Sequence, residues 1–216
     1  MKRKQRKPKS RIEYLPDSPL TDPARDELSR LPFAVQISNT IASRTDASPL
    51  IVGLYGEWGA GKTTLLNFIR GELDKRRNII CFKYNPWRFP DETILIKSFF
   101  GILAAELNRG LGGGKELLGK FVKGLGKLLP SISGSIYGYG VEVDAEKTFT
   151  NLGEMLSETN LEQLKTRLEE LLQQEQKRVV ILMDDIDRMD NSEIQALFRL
   201  IKLTADFSYV TYVLAF

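Results

Sequence analysis

The sequence has no histidine among its 216 residues and a single cysteine, Cys81. The first absence removes histidine-based triads, imidazole metal centres and a neutral-pH histidine switch. The second rules out an intrachain disulfide framework. With Cys81 inside an apolar run, it fits a reducing compartment, so a cytoplasmic protein is the expectation. Long apolar segments are missing too: no stretch approaches the roughly 18 to 20 residues needed to cross a bilayer, and the N-terminus lacks the apolar centre of a signal peptide. Chemistry in such a chain has to run on Lys, Asp, Glu, Thr and backbone groups.

What is present is ordinary in bulk, with 42% apolar and 27% charged residues, the balance of a soluble globular protein. The length suits one α/β domain with extras. Charge is uneven: Lys2, Arg3, Lys4, Arg6, Lys7, Lys9 and Arg11 more than account for the net +3, so the remainder is acidic on balance. Residues 1–21 read as a basic, solvated, disordered tail with a proline-containing lead-in, and the domain is expected over 22–216. A basic tail leaves nucleic acid open as a partner.

Apolar patterning supplies the elements. A helix within 26–43 is interrupted or restarted around Pro32. The unbroken run at 50–55, between Pro49 and Gly56, predicts a strand buried on both faces. A helix over 62–73 and a strand over 78–84 complete a βαβ rhythm, which implies a parallel sheet. A helix follows over 93–107. Later come a helix over 161–175, a strand over 178–183, a helix over 192–204 entered through an Asp190–Glu193 capping box, and a strand over 209–216. Ile194, Leu197, Phe198 and Ile201 recur at the spacing of one core-facing stripe.

The glycine-rich stretch at about 109–150 reads as an insertion rather than core. Within it, Leu117, Leu118, Phe121, Val122 and Leu125 oppose Lys115, Lys120, Lys123 and Lys127. That pattern predicts a basic amphipathic helix making weak contact with an anionic membrane, peripherally at its inner face, or with a protein partner. A helix covering its own domain fits equally well.

Chemistry concentrates in two places. Gly56-Glu57-Trp58-Gly59-Ala60-Gly61-Lys62-Thr63 matches GxxxxGK[ST] between a strand and a helix, the context of a phosphate-binding loop. Glycines let the backbone curl its N–H groups toward phosphate oxygens, and the following helix adds its positive dipole end. Lys62 is expected to reach the terminal phosphates, Thr63 to ligate Mg²⁺, and Thr64 to support the cradle. Downstream, residues 179–183 form an apolar strand that ends in Asp184 and Asp185. Asp184 is placed to hold Mg²⁺ and Asp185 to polarise an attacking water. Asp187 and Arg188 read equally well as a solvated, ion-paired turn.

The segments TDPARDELSRLPFA, GLYGEWGAGKTTLLNFI, FKYNPWRF and VVILMDDIDRMDNSEIQALFRLIKLTADFSYVTYVLAF resemble the KAP family of P-loop NTPases, over about 21–216 without the insertion. The resemblance implies a three-layer α/β fold of the additional-strand type with a mainly parallel sheet. It implies ATP as the nucleotide, Asp184 and Asp185 as the Walker B pair, and residues 85–89 shaping the active-site side of the sheet. Many members carry transmembrane helices between the two motifs. Here that stretch is Gly-rich and Lys-dotted, as in a soluble member. Because the sequence stops at the strand over 209–216, the domain is expected to be C-terminally incomplete, and no arginine finger can be assigned. The implied activity is an ATPase module driving conformational change in a larger assembly, through a partner or self-association. Bacterial members are linked with phage exclusion, which adds defence as an expectation. The alternative is a nucleotide-switched scaffold or adaptor with negligible turnover.

Overall fold

The computed structural model describes residues 18–89, 91–112, 116–128 and 158–216. The basic residues 1–17 and the glycine-rich residues 129–157 lie outside them. Four apolar runs become four strands: β1 (Leu50–Leu54), β2 (Ile79–Tyr84), β3 (Arg178–Met183) and β4 (Val210–Ala215). They pair in parallel in the order β1-β4-β3-β2. β4 therefore enters between the strand that leads into the glycine loop and the strand that ends in carboxylates, the additional-strand arrangement.

Every residue of β3 and β4 is buried, as expected of apolar runs in a sheet covered on both faces. Successive side chains alternate: Phe82, Ile181 and Tyr212 enter one core, and Cys81, Val180 and Val213 the other. The second core is closed by α1 (Leu31–Ala42) and α2 (Lys62–Leu73). The first is closed by α3 (Glu92–Leu111), α4 (Glu116–Leu128), α5 (Glu158–Gln174) and α6 (Asn191–Thr204), which completes three layers. Asp190 and Glu193 form the expected capping box at the start of α6.

Several readings are corrected. β1 is not buried on both faces: it pairs only with β4 among the described residues, and Ile51 is 45% exposed. Its Leu50, Val52 and Leu54 pack toward α1 and α2, while its other face lies past the edge of the helical cover. At Pro32 the restart, not the interruption, is what the fold shows: α1 begins at Leu31. Pro32 lies in the first turn of α1, where its missing N–H leaves no bond unmade. In α6, Leu197 and Ile201 are buried but Phe198 is 54% exposed, so the core-facing stripe is narrower than the spacing suggested.

The most consequential correction concerns the expected insertion. Residues 109–111 are the last turn of α3, which stops at Gly112 with φ +75°. Beyond it, α4 turns Leu118, Phe121, Val122 and Leu125 into the main core, with Phe121 and Leu125 fully buried. The physical reason is α5, whose Leu164, Leu168, Leu171 and Leu172 need an apolar cover. Gly124 has no Cβ to collide with the Arg167 guanidinium, so a residue that looks like a breaker permits this close approach. Of the two readings of this helix, the one in which it covers its own domain is what these contacts show. Phe121→Ala should lower unfolding free energy by about 3–5 kcal/mol, measured by denaturant titration; an unchanged midpoint would show α4 to be peripheral to the core.

Candidate functional site

The glycine loop follows β1 and feeds α2, and its shape rests on two left-handed glycines, Gly59 at φ +78° and Gly61 at φ +83°. Gly61 is the N-cap of α2 and supplies no side-chain cap. The first N–H groups of α2 are therefore not answered by a capping side chain and present a positive end to an anion. The start of the loop is pinned by the Gly56 N–H, which donates to the Phe216 carbonyl at 3.1 Å.

Lys62 folds back over this loop. Its ammonium donates to the carbonyls of Gly56 at 2.8 Å and Glu57 at 3.2 Å, and it pairs with Asp187 Oδ2 at 3.0 Å. Those three partners match the three donors of an ammonium group, so an arriving anion must take the place of one of them. Asp187 is the exchangeable partner, since it is a mobile side chain rather than loop backbone.

The carboxylates come from the far end of β3. Asp184 is buried at 8% exposure, and its Oδ1 accepts the Asp185 N–H at 3.0 Å. Asp185 then adopts a left-handed backbone, φ 59° and ψ 26°, a conformation that costs a non-glycine residue about 1–2 kcal/mol. The cost is tolerated because the resulting sharp turn, continued by the 3₁₀ segment Ile186–Arg188, brings Asp184, Asp185, Asp187 and Arg188 to one cavity. The Asp185 carboxylate accepts from Asn85 Nδ2 at 2.7 Å and pairs with Arg188 Nε at 2.8 Å. Asn85 follows directly on β2, and its Oδ1 is buried without a partner among the described residues, an acceptor suited to an ordered water. Burial holds the Lys83 ammonium below its ordinary value, and the nearby Asp184 carboxylate works against that shift.

The cavity measures about 450 Å³ and is lined by Trp58 to Thr64, by Asp184, Asp185, Asp187 and Arg188, and by residues of the lead-in. The structure therefore brings Lys62, Thr63, Thr64, Asp184 and Asp185 together, as the sequence implied. Gly56 and Glu57 serve through their carbonyls, on Lys62. Trp58 is 76% exposed, and its ring lies 5.3 Å from the Arg188 guanidinium, with the Trp87 ring 5.8 Å from the same group. The Thr64 hydroxyl accepts the Leu20 N–H at 3.1 Å, and the Ala60 carbonyl accepts from Arg30 at 2.7 Å. Residues 18–20 were missed by sequence reading, and Arg30, although it lies in the segment TDPARDELSRLPFA, was given no role there; the fold carries them to the loop.

A strand, a glycine cradle and a helix, with a carboxylate-tipped strand placed beyond one intervening strand, define a P-loop NTPase fold. Residues 30–216 match the model of the KAP family P-loop domain, and the chain belongs to that family. It is also similar to the Phage T7 exclusion protein of Escherichia coli (strain K12), 23% identical over 228 aligned positions that cover 93% of this chain. The chain spans about 30% of that protein's length. Among the described residues no helix is long and apolar enough to cross a membrane.

The Lys62–Asp187 pair yields a prediction of direction. Asp187→Asn removes both the competing partner and a negative charge from the anion's path. Affinity for inorganic triphosphate should rise about two- to fivefold, the scale of a partly exposed ion pair, as read by isothermal titration calorimetry. A loss of affinity would show that Asp187 supports the bound state instead.

Proposed function

We propose that this chain binds ATP with Mg²⁺ and hydrolyses it, and that hydrolysis drives a conformational change in a larger assembly engaged in phage defence. The observation that carries the reading is the convergence of Lys62, Thr63 and Asp184 on one cavity floored by the glycine loop. Lys62 and the uncapped start of α2 supply the positive charge that a triphosphate needs. Thr63 and Asp184 are the residues to hold the metal. So small a protein donor set suits Mg²⁺, which keeps waters and takes phosphate oxygens as ligands. When bound, Mg²⁺ would neutralise charge building on the phosphates.

Asp185 is the group to polarise water, and its two contacts decide how readily it does so. Both oxygens of this carboxylate are engaged, Oδ2 by Asn85 Nδ2 and Oδ1 by Arg188 Nε, so an attacking water has to compete with these donors for it. Hydrolysis therefore requires at least one of those contacts to loosen. The same contacts favour a second reading, a nucleotide-switched scaffold whose turnover is negligible because Asp185 stays held. Likeness to a phage exclusion protein supports the defence setting.

Lys62→Ala should weaken Mg-ATP binding strongly, because it removes a charge used in the ground state. Asp185→Asn should keep binding while lowering single-turnover hydrolysis by roughly a hundredfold or more, the scale of a positioned catalytic group. Equal loss of binding in both variants would make Asp185 a structural or metal-supporting residue. A parent protein that binds Mg-ATP without turnover would select the scaffold.

A further inference from the structure

We infer that the lead-in segment forms the nucleobase subsite of the cavity, with Pro19, Leu20 and Leu28 as its apolar surface and Arg30 as its cationic edge. The inference rests on the nucleotide reading proposed above and names which part of the chain takes the base.

The cavity has two unlike walls. One is the turn after β3, which supplies three carboxylates and Arg188. Its Ile186 and Met189 are anchored in the core on the α3–α6 side of the sheet. The other wall consists of Ser18, Pro19, Leu20, Leu28 and Arg30 and contributes no carboxylate. Leu20 packs toward the α1–α2 core, on the opposite face. The glycine loop lies between: Lys62 leans to the acidic wall through Asp187, while Ala60 and Thr64 are tied to the lead-in wall through Arg30 and Leu20. A triphosphate seated on the loop, with its metal at Asp184, has its remaining half directed at the lead-in.

That wall is built for a flat, mostly apolar group. Leu28 lines the cavity and is 68% exposed, so its side chain is open to a ligand seated there. Arg30 is fixed by its bond to the Ala60 carbonyl, and a Cβ at Gly61 would come within 2.7 Å of its guanidinium carbon. The guanidinium thus lies flat against the loop at the junction of the walls, placed to stack on an aromatic base. The lead-in is held by a polar relay: Lys83 donates to Asn67 Oδ1, Asn67 Nδ2 to the Leu20 carbonyl at 2.8 Å, and the Leu20 N–H to Thr64. Leu20 is thereby set against the first turn of α2 at a fixed height above the loop. A neighbouring groove offers a competing place for the base: Phe33 and Tyr55 line it, and it shares Arg30 and Lys62 with the main cavity. It has no such relay.

The test compares Mg-ATP with Mg-tripolyphosphate, which lacks base and ribose, by calorimetry on the full chain and its Leu28→Ala, Phe33→Ala and Lys62→Ala variants. Leu28 and Phe33 are exposed, so their truncation leaves folding intact, checked by thermal unfolding. Leu28→Ala should weaken Mg-ATP about five- to tenfold, the scale of losing a buried leucine contact, and leave Mg-tripolyphosphate unchanged. Lys62→Ala should weaken both ligands. If Leu28→Ala weakens both ligands equally, or neither, the base does not sit on this wall. Selective loss of Mg-ATP in Phe33→Ala, with Leu28→Ala unaffected, places the base in the neighbouring groove and overturns the inference. A parent chain that binds neither ligand overturns the nucleotide reading itself, a result distinct from the others.

Discussion

One strand sets the separation on which the site depends. β4 lies between β1 and β3, and Val213 pairs with Val52 on one side and Leu182 on the other. Two strand spacings put the ends of β1 and β3 roughly 10 Å apart. Because both pairings are parallel and level, the glycine loop and the carboxylate turn leave the sheet on the same rim. A lysine side chain starting in α2 spans what remains, and Lys62 does so by meeting Asp187. A slip of one residue in β4 would turn its buried side chains to the wrong cores. The interleaved packing of Tyr212 and Val213 on opposite faces therefore also fixes the geometry of the charges.

Those charges are already matched to one another. Lys62 is paired with Asp187, Arg188 with Asp185, and Asp185 with Asn85 as well. Ligand entry is consequently an exchange of partners rather than an addition of new ones, and the free-energy gain is the difference between two well-paired arrangements. The strained backbone at Asp185 belongs to the same economy, since it lets consecutive acidic residues point at different tasks. Asp184 faces inward from the strand end, Asp185 is turned toward β2 and Asn85, and Asp187 reaches back to the loop.

Much of this was legible in the sequence because it is local. The loop spacing, the apolar runs of β3 and β4, and the capping box of α6 depend on neighbours within a few residues, and each reads directly. What was misread depends on distant neighbours. The run at 50–54 is as apolar as a central strand, and only the strand order shows that β1 lies at an edge. Gly119 and Gly124 look like breakers in α4, yet the stripe through Phe121 and Leu125 is core because α5 lies against it. Arg30 lies in a segment that carries the family resemblance, yet its role at the site comes from a contact with Ala60, thirty residues on, which local sequence does not show. Asp187 and Arg188 stood undecided between a solvated turn and a functional one, and the structure gives each a partner at the site.

The chain has two tryptophans, and both rings lie near the same guanidinium: Trp58 on the glycine loop at 5.3 Å from Arg188 and Trp87 after β2 at 5.8 Å. The two indoles of this chain are therefore concentrated in one spot, partly in water and next to a cation. Their emission is a site-specific optical channel built into the natural sequence, with no dye or engineered label. It registers rearrangement among the loop, the β2 exit and the carboxylate turn, and it is silent about the α4–α5 side of the core, where the described residues carry no indole.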